Sequence, residues 1–172
     1  IHGLIRDEQG RKMSKSLGNG IDPLDIIAKY GVDAMRYFIT TNSTPGQDMR
    51  YSEEKLQAAE NYLNKIWNAT RYVEMTLGED FQSNEIPYKD LGVLEKYILT
   101  RLEKTIAHVQ KKMDAYEFGA ASTYLYDFVY DDFCSFYLEM SKVSLSDPHQ
   151  SETVKQVLYQ VIHDVILMIY PY

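Results

Sequence analysis

Residues 12–16 read Lys-Met-Ser-Lys-Ser, and of all segments in the chain this one has the residue types and spacing best suited to chemistry. Lys12 and Lys15, three positions apart, supply mobile point charges, while Ser14, Ser16 and loose backbone amides supply hydrogen bonds to oxyanions. Leu17-Gly18-Asn19-Gly20 follows, and two glycines in four residues give a backbone that takes positive φ and moves. A flexible loop suited to holding a polyphosphate is the expectation. It is not a P-loop, because the Gly-x-x-x-x-Gly-Lys-Ser/Thr spacing is missing. Judged on charge alone, the competing reading is a solvated basic turn.

The elements around this segment are readable from its flanks. His2 to Arg6 is a short apolar run and Asp7-Glu8-Gln9-Gly10 a polar turn ending in Gly, which predicts a strand and a tight reversal. On the far side, Asp22-Pro23 predicts a helix start, with Asp as N-cap, Pro at the first helical position and Asp25 in the first turn. That helix should end at Tyr30-Gly31, and a second short one should run from Val32-Asp33 to about Thr41.

Long helices are expected beyond residue 51. Ser52 caps a pattern in which Leu56, Ala59, Leu63, Ile66, Ala69 or Thr70, Val73 and Leu77 recur at three and four residues, closed by Gly78. Asp90 is the expected cap of the next, with Leu91, Leu94, Ile98, Leu102, Ile106, Val109 and Met113 on one face. A third runs from Phe118 to about Leu145, carrying Leu125, Phe128, Phe133, Phe136 and Met140. Asp147-Pro148 opens a fourth with Val154, Val157 or Leu158, Val161, Val165 and Met168. Four amphipathic helices with short connections predict an antiparallel bundle, so the fold class is mainly α.

Composition narrows the function classes. With 172 residues, 45% hydrophobic and 25% charged, the chain can bury one substantial core or two small ones. A formal charge of -7 argues against coating nucleic acid by bulk attraction, so any RNA contact must be local. The longest apolar run near the C-terminus, from Val165 to Tyr170, is far short of a membrane span, and no charged-then-apolar leader opens the sequence, so a cytoplasmic protein without a membrane partner is expected. Cys134 is the single cysteine and reads as a buried thiol in an aromatic run. Asp127, Asp131 and Asp132 have no accompanying His cluster and read as a solvated or Arg-paired helix face; His108 and His163 are isolated on helical patterns, and no metal site is expected. The aromatic series Tyr124, Tyr126, Phe128, Tyr130, Phe133, Phe136 and Tyr137 fits core and helix contacts.

The wider context of the lysine segment carries a resemblance. Gly3-Leu4-Ile5-Arg6-Asp7-Glu8-Gln9-Gly10-Arg11, then Lys-Met-Ser-Lys-Ser, then Leu17-Gly18-Asn19-Gly20-Ile21-Asp22-Pro23, Tyr30-Gly31-Val32-Asp33-Ala34 and Arg36, resembles the second signature region of class I aminoacyl-tRNA synthetases. Within the subclass for aliphatic amino acids, three places look valyl. They are the run from Gly18 to Pro23, the run from Pro45 to Tyr51, and Asp131-Asp132-Phe133-Cys134 followed by Tyr137-Leu138-Glu139. An isoleucyl-type enzyme is the alternative within the family, and a stand-alone RNA-binding helical module the alternative outside it.

The resemblance implies two pieces. Residues 1–51 would be the end of a Rossmann-type catalytic domain with its KMSKS loop and junction helices. Residues 52–172 would be the helical bundle of a class Ia anticodon-binding domain, truncated at its C-terminus, in a fragment of a monomeric parent that opens at Ile1 without an initiator methionine. It assigns Lys15 to ATP and the activation transition state, with Lys12 supporting and Met13, Ser14 and Ser16 completing the ATP-binding loop. It implies ATP, with Mg2+ in the parent, valine and tRNA as substrates and partners. Asn64-Lys65-Ile66-Trp67-Asn68 and Arg71 resemble a tRNA-contacting segment of such bundles: Trp67 offers a stacking face for an unpaired base, and Lys65 and Arg71 flank it with positive charge. Trp67 also has a packing reading, as core or lid. A His-x-Gly-His motif, the other ATP signature of the family, does not occur around His2-Gly3, and the amino-acid pocket would lie upstream of Ile1, so the 172 residues alone are expected to be inactive.

Overall fold

The computed structural model describes residues 3–44 and 46–172. A strand β1 (Ile5–Arg6) leaves the N-terminal region and pairs in parallel with β2 (Met49–Arg50), Ile5 opposite Met49 and Arg6 opposite Arg50. A parallel pair needs a long crossover. Here it contains the lysine segment and two helices, α1 (Pro23–Tyr30) and α2 (Val32–Asn42). Both fall where the sequence predicts them. Asp22 accepts from the Leu24 N–H at 2.9 Å, and Pro23 occupies the first turn, where its missing N–H costs nothing. The His2 end of the predicted strand and Pro45 of the second valyl-like run lie outside the described residues.

Four longer helical stretches build the bundle. Helix α3 (Glu53–Leu77) is unbroken over 25 residues, capped by Ser52 through the Lys55 N–H, and buries Leu56, Ala59, Ile66, Ala69 and Val73 from the predicted stripe. Helix α4 (Val93–Asp114) packs against α5 (Phe118–Asp127), and α7 (Ser151–Ile169) packs against α3 and α4. Leu158, Val161 and Val165 of α7 are wholly buried, as are Ile98 of α4 and Leu125 of α5. One core therefore joins the bundle to α2. Among the described residues no helix is long and apolar enough to cross a membrane.

Three sequence expectations are corrected. Asp90 does not cap α4: it closes a separate 3-10 turn, Tyr88–Asp90, after Pro87, so Gly92 stands at the helix start and Leu91 is buried from the connection. Asp147-Pro148 likewise precedes α7 by a turn, with the Asp147 carbonyl accepting from Gln150 and Ser151 before the helix starts at Ser151. The third helical pattern has the predicted extent but not the predicted phase. Between α5 and α6 (Leu138–Leu145) the backbone winds as a π-helix, Phe128–Tyr137, with i→i+5 hydrogen bonding. The wider turn carries Tyr137, Leu138 and Ser141 into the core and leaves Phe136 and Met140, 38% and 43% exposed, on the surface.

Asp132 secures that wide segment. Its Oδ2 accepts from both Arg101 Nε (2.9 Å) and a terminal nitrogen of Arg101 (2.7 Å), and its Oδ1 accepts from the Tyr97 hydroxyl at 2.8 Å. All three bonds tie the π-helix to α4. The Arg-paired reading of this acidic face thus holds for Asp132, while Asp127 and Asp131 are exposed. Cys134 is partly buried, and burial raises its thiol above the ordinary range despite the opposing pull of Lys65.

Candidate functional site

The lysine segment begins as an extension of the small sheet. Lys12 forms an antiparallel bridge with Arg6, and the reversal between them is closed by Gly10 N–H to the Asp7 carbonyl (2.9 Å) and Asp7 N–H to the Arg11 carbonyl (3.0 Å). Gly10 sits at φ 80°, a region where a side chain is strained. A Cβ on Gly3, at the foot of β1, would overlap the Gln47 carbonyl, so the strand lies tight against the chain entering β2.

Past Lys12 the chain forms a defined turn. Ser14 caps a short 3-10 helix, Lys15–Leu17, its hydroxyl accepting from the Leu17 N–H at 3.3 Å and lying 3.1 Å from the Ser16 hydroxyl. Gly18, at φ 61°, ends it in the left-handed conformation. Met13 is half-buried and lines an apolar cavity of 100 Å³ together with Ile5, Ile21, Ile26, Phe38 and Met49, residues of the strands and of α1 and α2 with the chain before them. On the outer side, Met13, Ser14, Lys15, Gly18 and Gly20 line a shallow groove of 330 Å³. The ammonium groups of Lys12 and Lys15 make no ion pair or hydrogen bond with any described residue. Two exposed cations without an internal partner, one of them (Lys15) lining the groove, can neutralise an incoming polyanion.

Asp7, at 5% exposure, is the buried carboxylate beneath this turn. Burial alone would raise its carboxyl, but hydrogen bonds from the Asn19 amide and from the Arg11 N–H and guanidinium, with that cation's charge, outweigh burial and hold it at about 2. The folded value lies below the free value of 3.8, so the stabilisation is complete above that pH and is lost as the pH falls through the folded value. In a pH titration followed by the Arg11 amide resonance, the expected midpoint is near 2; one near the free carboxylate value would show that the contacts do not form.

The second group of candidates lies on α3. At about 100° per residue, Asn64, Trp67, Asn68 and Arg71 fall within one stripe of the helix surface. All four are exposed, Trp67 at 64%, which excludes the core reading of the indole. Their side chains have no hydrogen-bonding or ionic partner among the described residues. Lys65 is not in this stripe. Turned away toward the π-helix, its ammonium sits over the Tyr130 ring, 4.6 Å from the centroid, a contact favourable for both groups. Tyr130 in turn stacks on Tyr126 at 4.4 Å, and Tyr62 lies beneath both. Sequence spacing gives the Asn64 to Arg71 stripe but not the separation of Lys65, which depends on where the π-helix packs. Elsewhere, His108 is exposed and stacks on Tyr124, and His163 is exposed with Nδ1 beside Asp164. Among the described residues no group of three His, Cys, Asp or Glu is placed to hold a metal ion.

Comparison with known proteins places this geometry in a family. Residues 1–52 match the model for class I tRNA synthetases (I, L, M and V), and residues 95–172 that for the anticodon-binding domain of tRNA ligase. A solved ternary complex of Agrobacterium radiobacter K84 LeuRS with tRNA and LeuAMS shares the fold, with a TM-score of 0.68 over 98% of this chain and 21% of that one, at 22% identity. Fold and matches together define a segment of a class I tRNA synthetase. The valine–tRNA ligase of Mycoplasma mycoides subsp. mycoides SC is 51% identical over 172 residues, 99% of this chain and 20% of its own length. That of Bacillus anthracis is 51% identical over 175 residues, covering 100% and 20%, and that of Staphylococcus aureus strain Newman 47%, with the same coverage. The chain belongs to the valine–tRNA ligase family, and it spans about a fifth of the length of the relatives it matches.

Proposed function

We propose that the chain is the part of a valine–tRNA ligase in which the ATP-handling loop meets the anticodon-binding bundle, with residues 1–51 belonging to the catalytic domain and 52–172 to the bundle. The observation that supports this most directly is an uncommitted Lys15 on a shaped turn lining a groove, with exposed Lys12 at the entry to that turn, in a chain about half identical to such ligases over its whole length. In the whole enzyme, the carboxylate of valine attacks the α-phosphorus of ATP, the bond to the β-phosphate breaks, and pyrophosphate leaves. Charge builds on the departing oxygens, and Lys15, with Lys12 beside it, stabilises that charge electrostatically without transferring a proton. Ser14 and Ser16 shape the turn, and Met13 completes the loop. Mg2+ would arrive on the polyphosphate, which is how that ion usually enters such sites. The aminoacyl group then passes to tRNA(Val).

The Asn64, Trp67, Asn68 and Arg71 stripe is the proposed contact for the unpaired anticodon loop, with Trp67 as the stacking platform and Arg71 on phosphate. Trp67→Ala should weaken tRNA(Val) binding about 5- to 100-fold, the range for loss of one base-stacking contact, and leave the melting temperature unchanged because the indole is exposed. Fluorescence titration of labelled tRNA over a salt series measures this. Equal binding by wild type and variant removes Trp67 from the interface, and indiscriminate binding of all tRNAs favours a general RNA-binding module. The 172 residues by themselves should make no valyl-adenylate. Valine-dependent pyrophosphate exchange by the purified chain would contradict the assignment of the amino-acid pocket to other residues of the parent.

A further inference from the structure

The carboxamide of Asn19 makes three hydrogen bonds, two to the lysine segment and one to the reversal that precedes it. Its Oδ1 accepts from the Ser14 N–H at 2.9 Å, and its Nδ2 donates to Asp7 Oδ2 at 2.9 Å and to the Lys12 carbonyl at 3.2 Å. Asp7 is itself fixed, since each carboxylate oxygen also accepts from Arg11 at 2.7 Å. Both N–H groups and the oxygen of one amide are thus used to join the reversal after β1, the entry to the loop and its middle. Without Asn19, only local bonds shape the stretch beyond Lys12: Leu17 and Gly18 donating to the Ser14 and Lys15 carbonyls at 3.3 Å, and the serine hydroxyls. Two glycines in that stretch favour many backbone shapes.

We propose that Asn19 is a positioning residue, the clasp that holds the Lys-Met-Ser-Lys-Ser turn in one shape with Lys15 displayed beside the groove. This deepens the ATP reading above and rests on it for the polyphosphate alone. The clasp itself is a property of the turn.

Limited trypsin cleavage of the 172-residue chain separates the two. Asn19→Ala should raise cleavage after Lys12 and Lys15 about tenfold, because opening becomes cheaper by roughly one such hydrogen-bonded tie, while cleavage after Arg71 stays at the wild-type rate. Asn19→Asp should act at least as strongly, since it sets a second carboxylate against Asp7. Combining it with Asp7→Asn, which restores a donor opposite an acceptor, should recover part of the loss. Unchanged cleavage in Asn19→Ala overturns the proposal, and so does equal acceleration at Arg71, which would report general loosening. In a full-length enzyme carrying this segment, Asn19→Ala should lower the pyrophosphate-exchange kcat about tenfold with the ATP KM within about twofold, since preorganisation of the loop is felt at the transition state. If cleavage responds and exchange does not, the clasp stands and the ATP assignment of the turn falls.

Discussion

Lys15→Ala, introduced into a full-length valine–tRNA ligase containing this segment, is expected to slow adenylate formation by about 10²- to 10³-fold, the usual effect of removing one preorganised group that stabilises transition-state charge. Folding should be unaffected, because the Lys15 ammonium holds no other described residue. Lys12→Ala should have a smaller effect, since Lys12 is fixed by its bridge to Arg6 at the base of the turn and Lys15 stands at the groove. Single-turnover pyrophosphate exchange at saturating ATP measures both. A Lys15→Ala enzyme that keeps its rate and loses only ATP affinity would place the lysine on the ground state.

Phe133→Ala should destabilise the bundle by about 3–5 kcal/mol, the range for deleting a buried phenyl group from a core that cannot close over the void. The ring is wholly buried at the centre of the π-helix, flanked by Asp132, whose three bonds to α4 resist collapse. Phe136→Ala, three residues on, should cost little, as that ring is 38% exposed. Urea unfolding followed by circular dichroism separates them, and similar midpoints for the two variants would mean that the phase of this helix is the 3.6-residue one.

That contrast shows what the sequence makes legible. Along α3 every position of the stripe from Leu56 to Val73 obeys a three-and-four spacing, so the face toward the core can be read without coordinates. In Phe128–Tyr137 aromatic residues stand on all sides, and buried positions 128, 129, 132, 133 and 137 follow a wider turn that a 3.6-residue template misassigns. The turn signals at Asp90 and Asp147 were real, but each served a separate turn ahead of its helix. For the loop, residue types and order carry the resemblance to a family. The Asn19 to Asp7 contact spans twelve residues with no periodicity to announce it, and the withdrawal of Lys65 from the Trp67 stripe depends on Tyr130 arriving from another helix.

Helix α3 runs without a break from Ser52, one residue beyond Tyr51 whose N–H closes the pairing with β1, to Gly78. At about 1.5 Å per residue it is a ruler, placing the Trp67 indole roughly 20 Å along its axis from the root of the lysine turn. It also sets a bearing. One residue inserted between Ser52 and Trp67 would lengthen the ruler by about 1.5 Å yet swing everything beyond it by about 100°, against a buried stripe that cannot follow. Distance along this helix is therefore tolerant of error and direction is not, so length changes in this part of the chain should be confined to the connections on either side of α3.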